Sequence, residues 1–136
     1  MHIKNRAVFL DRDGTLMEDV DYCSDPEKVR IFPGVNEALL RLRDAGFHRI
    51  VITNQSGIGR GLMTHEQYVA VETKLLDLVG EGLIDATYFC ADMPGQNSAR
   101  RKPRPGMVIE AARDWNIDLA RSFFIGDKTS DIDCGR

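Results

Sequence analysis

Three short apolar runs along the chain each stop abruptly at a polar residue. Ala7-Val8-Phe9-Leu10 stops at Asp11, Ile50-Val51-Ile52 at Thr53, and Phe123-Phe124-Ile125 at Gly126-Asp127. These runs are β-branched and aromatic without polar alternation, a pattern that predicts strands buried on both faces of a parallel sheet. Ala86-Thr87-Tyr88-Phe89 is a weaker fourth strand. Between the runs the period becomes helical. Val35, Ala38, Leu39 and Leu42 fall at i, i+3, i+4 and i+7, and the pattern stops at Gly46. Thr64 and Gln67 have capping-box spacing, with Met63 and Tyr68 placed as a hydrophobic staple. The helix they open carries Val71, Leu75 and Leu78 and ends near Gly80. Pro105 suits the first position of a third helix, which buries Val108, Ala111, Ala112 and Trp115.

Strand alternating with helix predicts an α/β fold, a doubly wound, Rossmann-like parallel sheet flanked by helices. Such sheets bind ligands at the carboxyl ends of their strands, beside the switch in strand order. Asp11, Thr53 and Asp127 all fall at that rim. Any one of them would pass as a turn residue or a helix cap; three at equivalent strand ends point to a site. Arg136 falls just where Thr129 or Ser130 could cap another helix. The expectation is therefore a single domain over residues 1–136, cut short at its C-terminus and without a fifth parallel strand.

Composition narrows the field. A chain of 136 residues can bury one core but not two. Apolar residues make up 43% and charged residues 29%, ordinary for a globular protein. The net charge of -3 leaves no basic footprint, so nucleic acid is not favoured as a partner. No apolar run approaches the roughly 18 residues of a membrane span, and no membrane association is expected. Met1-His2-Ile3-Lys4-Asn5-Arg6 lacks the apolar core of a signal peptide. Cys23, Cys90 and Cys134 are scattered, odd in number and form no CxxC pair. A reduced cytoplasm is the simplest location, and with no sign of an extensive apolar interface a monomer is expected.

The rim residues suit phosphoryl transfer. Phosphate monoesters hydrolyse very slowly unaided, so a catalyst must neutralise charge and supply a nucleophile. A carboxylate can attack phosphorus and give an aspartyl phosphate, provided a cation offsets its repulsion from the anionic substrate. Magnesium takes hard oxygen ligands, and Asp11 and Asp127 would supply carboxylates. Asp13, two residues beyond Asp11, can protonate a departing oxygen and then activate water. Gly14 permits a sharp turn close to the ligand. A calcium loop would need further ligands and a Glu at position 12, whereas Val20 and Asp21 follow and no helix precedes. Lys102, kept extended by Pro103, could reach Asp11 and the phosphoryl group as a point charge. By itself, Arg100-Arg101-Lys102 would more often be a solvated basic patch.

Together these residues resemble the haloacid dehalogenase superfamily of aspartate-nucleophile phosphatases. Its four motifs match in order: Asp11-Arg12-Asp13-Gly14-Thr15, Thr53, Lys102, and Gly126-Asp127-Lys128 with Asp131. Thr53-Asn54-Gln55-Ser56-Gly57-Ile58-Gly59-Arg60-Gly61 and Arg101-Lys102-Pro103 with Gly106-Met107 are similar to the capless branch. That branch contains heptose-bisphosphate and histidinol-phosphate phosphatases, and Ser56 and Arg60-Gly61 are closer to the former. The resemblance implies a magnesium-dependent phosphomonoesterase without a large cap domain. Asp11 is then nucleophile and metal ligand, and Asp13 is acid/base and metal ligand through its carbonyl. Thr53 and Asn54 hold phosphoryl oxygens, Lys102 orients Asp11 and the phosphate, and Arg101 contacts substrate. Asp127 binds magnesium, supported by Lys128 and Asp131, and residues 16–30 form a small flap.

One departure stands out. The branch usually carries zinc on Cys-x-His and Cys-x-Cys positions that read here Cys90, Asp92, Ser98 and Arg100. One soft ligand of four is too few for a tetrahedral site, so zinc is not expected and Cys90 is read as a buried thiol. The loop then depends on its own turn residues and packing. The implied substrate is a small phosphorylated molecule, first a sugar phosphate such as D-glycero-D-manno-heptose 1,7-bisphosphate. Histidinol phosphate and a polynucleotide end are the alternatives within the same chemistry. A receiver-type signalling domain, the reading from another class, would place its accepting Asp at the third strand. Only Asp92 is available there, and Asp13-Gly14-Thr15 would go unexplained.

Overall fold

Strands β1 (Arg6–Leu10) and β2 (Phe47–Asn54) carry apolar residues at consecutive positions, and that puts them at the centre of a sheet. β3 (Ala86–Cys90) and β4 (Phe123–Ile125) flank them in the order β3-β2-β1-β4, and every pair is parallel. These elements come from a computed structural model that describes residues 4–20, 23–93 and 98–126. Four strands are present among the described residues.

Alternate side chains of the central strands feed two cores. Val8, Leu10 and Val51 face α1 (Val35–Asp44) and α3 (His65–Val79), which contribute Leu39, Val71, Leu75 and Val79. Ala7, Phe9, Ile50 and Ile52 face α4 (Gly106–Trp115), which contributes Met107, Val108 and Ala111. Helices on both faces of a parallel sheet make the fold doubly wound, as the alternation of elements predicts. A short turn of helix, α2 (Ser56–Gly59), follows β2 directly.

Local signals hold where they are chemical. Thr64 and Gln67 form both hydrogen bonds of the capping box that opens α3. They miss where burial depends on neighbours. The buried stripe of α3 is Tyr68, Val71, Glu72, Leu75 and Val79, so Leu78 lies on the exposed side. On α4, Met107 is buried, whereas Ala112 and Trp115 are only half-buried. On α1, Ala38 is exposed. The expectation of burial on both faces fails for β4, where Phe123 is 62% and Ile125 48% exposed. β4 pairs only with β1 among the described residues, and Ile125 lines an open groove with Ala38, Arg41 and Leu42 of α1.

The switch in strand order falls between β1 and β4, since β1, β2 and β3 run outward in sequence and β4 returns to the other side. Leu10 is level with Val51 on one side and Ile125 on the other. The crevice at the carboxyl ends therefore opens at Asp11. Residues 16–20 and 23–32 follow in the chain. Their ends are tied by the Met17–Ile31 bridge and by bonds from Glu18 N to Arg30 O and Phe32 N to Leu16 O, at 2.8 and 3.1 Å.

Candidate active site

Asp11 is the first residue past β1, and its backbone N–H still donates to Ile125 O at 3.0 Å. The strand ladder thus runs one residue beyond the strand and fixes the direction of the carboxylate. That carboxylate is buried, with the residue 5% exposed. Lys102, 4% exposed, donates from Nζ to Asp11 Oδ1 at 2.9 Å and to Ile52 O at 3.0 Å. The same ammonium lies 5.6 Å from the centre of the Phe124 ring. Removing one partner of a buried ion pair leaves an uncompensated charge, which costs about 3–5 kcal/mol, so each holds the other in place. The pair joins residues 91 positions apart.

Backbone turning begins immediately after. Arg12 O accepts from the N–H groups of Thr15, Leu16 and Met17, and Gly14 N donates to Met17 O at 2.8 Å. Gly14 sits at φ 84°, the left-handed region that favours glycine, as a sharp turn here requires. The turn presents Asp13 on the open side of the rim. Its two carboxylate oxygens accept from Arg12 Nε at 3.0 Å and Gln55 Nε2 at 3.0 Å.

Arg12 itself is wholly buried. Its Nη1 donates to Glu72 Oε2 of α3 at 3.2 Å, and Glu72 Oε1 accepts from Thr87 Oγ1 of β3 at 2.8 Å. Burial works against the guanidinium charge, yet Asp13 and then Glu72 carry its pKa above the ordinary arginine value. Burial likewise pushes the Tyr68 phenol up, and Glu72 adds to the effect. Arg12, Gln55 and Glu72 were not singled out from sequence. Glu72 did leave a signal: it is a carboxylate in an otherwise apolar helical stripe, and such a residue is seldom buried unless paired.

Thr53 is buried at the end of β2, and its Oγ1 accepts from Gln55 Nε2 at 2.9 Å. Asn54 grips the backbone of Lys102 from both sides, accepting from its N–H at 3.0 Å and donating to its carbonyl at 3.3 Å. Arg101 donates from Nη1 to Asp92 O at 2.9 Å. The structure thus brings Asp11, Asp13, Thr53, Asn54 and Lys102 to one end of the sheet, with Arg101 next in chain to the lysine. Asp127, Lys128 and Asp131 lie outside the described residues.

Two metals can be weighed against these side chains. The carboxylate of Asp11 and the carbonyl of Asp13 are hard oxygens of the kind magnesium takes, and the donor chemistry fits. Zinc does not fit the four loop positions. Cys90 and Asp92 offer a thiol and a carboxylate, but Ser98 spends its hydroxyl accepting from backbone N–H groups. Arg100 is a cation and donates from Nε to Glu110 Oε2 at 2.6 Å. Among the described residues no three His, Cys, Asp or Glu side chains are grouped to hold a metal ion.

Similarity to known proteins agrees with this rim. The family model described as polynucleotide kinase 3 phosphatase matches residues 6–133. A D-glycero-beta-D-manno-heptose-1,7-bisphosphate 7-phosphatase of Yersinia pestis is 39% identical, over 93% of this chain and 72% of its own length. The phosphatase of the same name from Helicobacter pylori strain J99 is 41% identical, over 96% and 77%. Among solved structures, the D,D-heptose 1,7-bisphosphate phosphatase of B. bronchiseptica, complexed with magnesium and phosphate, superposes with a TM-score of 0.87. It is 33% identical over 95% of this chain and 74% of that one. The chain belongs to the polynucleotide kinase 3 phosphatase family within the haloacid dehalogenase superfamily, and it is a phosphoric monoester hydrolase of that type. No helix among the described residues is long and apolar enough to cross a membrane.

Proposed function

We propose that this enzyme removes a phosphate from a sugar bisphosphate, D-glycero-D-manno-heptose 1,7-bisphosphate, through a phosphoryl group carried transiently on Asp11. The observation that carries the chemistry is the buried contact of 2.9 Å between Lys102 Nζ and Asp11 Oδ1 at the switch point of the sheet. Support for the sugar comes from the relatives, which bear that activity in their names. One domain over residues 1–136, a monomer and a cytoplasmic location belong to the same proposal.

In this reading an oxygen of Asp11 attacks phosphorus, a new carboxylate–phosphorus bond forms, and the bond from phosphorus to the sugar oxygen breaks. Asp13 delivers a proton to that departing oxygen. It then takes a proton from water as the water attacks the phosphoryl group, which returns Asp11 as a free carboxylate and releases phosphate. Lys102 holds Asp11 in line and balances charge on the transferred group. Thr53 and Asn54 meet the phosphoryl oxygens, and Arg101 and Lys128 meet substrate. Asp11, the Asp13 carbonyl and Asp127, with Asp131 in support, would hold magnesium. When bound, that ion offsets the repulsion between carboxylate and phosphate.

The test is a phosphate-release screen with heptose bisphosphates, histidinol phosphate and a 3′-phosphorylated oligonucleotide. The heptose bisphosphate should give the highest kcat/KM. A higher value for the oligonucleotide would favour the reading suggested by the name of the family model, against which the net charge of -3 weighs.

A further inference from the structure

β3 ends at Cys90, which the parallel register sets level with Asn54 of β2. Asn54 is bonded to the backbone of Lys102, so Cys90 ends β3 close to the segment carrying Arg101 and Lys102. The buried Cys90 thiol donates to Asp92 Oδ2 at 3.5 Å and lies 3.7 Å from Ser98 Oγ. Ser98 Oγ accepts from the backbone N–H groups of Arg100 and Arg101, each at 3.3 Å. The Asp92 carbonyl, in turn, accepts from the Arg101 guanidinium at 2.9 Å. The Ser98 hydroxyl, and after it the Cys90 thiol, hold the Asp92 carboxyl below its usual pKa, as donors to a carboxylate should.

The outer side of the segment is tied as well. Gly106 N donates to Ala99 O at 2.9 Å, and a Cβ at Gly106 would come within 2.2 Å of that oxygen, so only glycine lets α4 begin this close. Arg100 anchors the segment to Glu110 of α4. Each of these ties joins one protein group to another, and none needs a metal. Polar groups that satisfy one another in this way rigidify what they hold. Arginine is otherwise among the costliest side chains to order, at about 1.5–2 kcal/mol of rotamer freedom. Ordering it before the substrate arrives removes that cost from binding.

We propose that Ser98 and Asp92 are positioning residues, and that the Cys90–Asp92–Ser98 cluster sets Arg101 to meet the part of the substrate away from the transferred phosphoryl group. This rests on Arg101 being the substrate contact described above. The cluster then serves binding and leaves chemistry alone.

The experiment compares Ser98→Ala, Ser98→Thr and Arg101→Ala with the unaltered enzyme, on a heptose bisphosphate and on p-nitrophenyl phosphate. Ser98→Ala should raise KM for the sugar about ten-fold, as Arg101→Ala does, with kcat within about two-fold. Ser98→Thr, which keeps the hydroxyl, should restore KM, and KM for the nitrophenyl ester should not move. Amide hydrogen exchange at Arg100 and Arg101, which needs no substrate, should accelerate about ten-fold in Ser98→Ala. Unchanged exchange there, an unchanged KM for the sugar, or a kcat lowered on both esters together would each overturn the positioning role. If the unaltered enzyme cleaves the nitrophenyl ester but not the sugar, the substrate reading fails, and the exchange measurement alone then decides the cluster.

Discussion

The two ends of the sheet hold buried cations of opposite character. At the amino end, Arg49 of β2 spends its donors on structure. Nε, Nη1 and Nη2 donate to the carbonyls of Leu83, Phe47 and Gly82 at 2.9, 2.7 and 3.1 Å, and Nη2 also meets Asp85 Oδ1 at 3.3 Å. His48 Nδ1 closes the group, 2.9 Å from Asp85 Oδ2. At the carboxyl end, Lys102 faces a strand-end carboxylate in the crevice where ligands bind. Saturation by carbonyls is what a structural cation needs. Lys102 also meets a carbonyl, that of Ile52, but a cation set against a carboxylate at a switch point can in addition serve a reaction. The same burial thus stabilises the fold at one end and, in the function proposed, prepares chemistry at the other.

Substitutions should separate the two ends by what they damage. Asp11→Asn should have the largest effect, lowering kcat by about 10⁶-fold, the scale seen when a covalent nucleophile is removed. The amide neither attacks phosphorus nor makes a good magnesium ligand. Retention of more than about a tenth of the turnover number would remove Asp11 from the nucleophile role. Asp13→Asn should come next, at about 10²–10⁴-fold in kcat, the range for general acid–base catalysis. A steady-state assay with a phosphate-detecting coupling enzyme reads both. Equal losses at the two positions would contradict separate roles for the two carboxylates.

Arg49→Met should reverse the pattern. The turn at Gly82 and Leu83 loses its tether and Asp85 loses one partner, which should cost about 2 kcal/mol. Urea denaturation should show a lower midpoint while kcat stays within about two-fold. A kcat loss without a stability loss would contradict the structural assignment of the amino end.

The strands, and the places of Asp11 and Thr53 at their ends, were legible in the sequence because the central strands are apolar on both faces and stop at polar residues. β2 extends further than its apolar run, since His48 and Arg49 interrupt the pattern yet are satisfied by Asp85 and nearby carbonyls. Burial at Phe123 and Ile125 was misjudged: among the described residues β4 pairs only with β1, and these two side chains share a face that is left largely open. The phase of α3 slipped by one residue at Leu78, because Glu72 belongs to the buried stripe and a hydrophobic count leaves it out. The Arg12–Glu72–Thr87 chain links three elements far apart in sequence, and no local pattern announces such a contact. The contact of Asp11 with Lys102 could be anticipated because strand ends and a Lys-Pro step are local features.

The smallest expected effect is none at all, and it concerns zinc. A structural zinc needs four donors, commonly thiolate or imidazole, deprotonated and free to turn toward the ion. Around Cys90 the other positions are a carboxylate already accepting hydrogen bonds, a hydroxyl engaged with two backbone N–H groups, and a guanidinium paired with Glu110. For zinc to enter, Ser98 would have to release both amides and Arg100 would have to leave its partner. The protein should therefore contain no stoichiometric zinc by elemental analysis. Treatment with a zinc-selective chelator should leave kcat and the unfolding midpoint unchanged, while removal of magnesium abolishes turnover. One zinc per chain, lost together with the fold on chelation, would show that the hydrogen-bonded cluster is not what orders this loop.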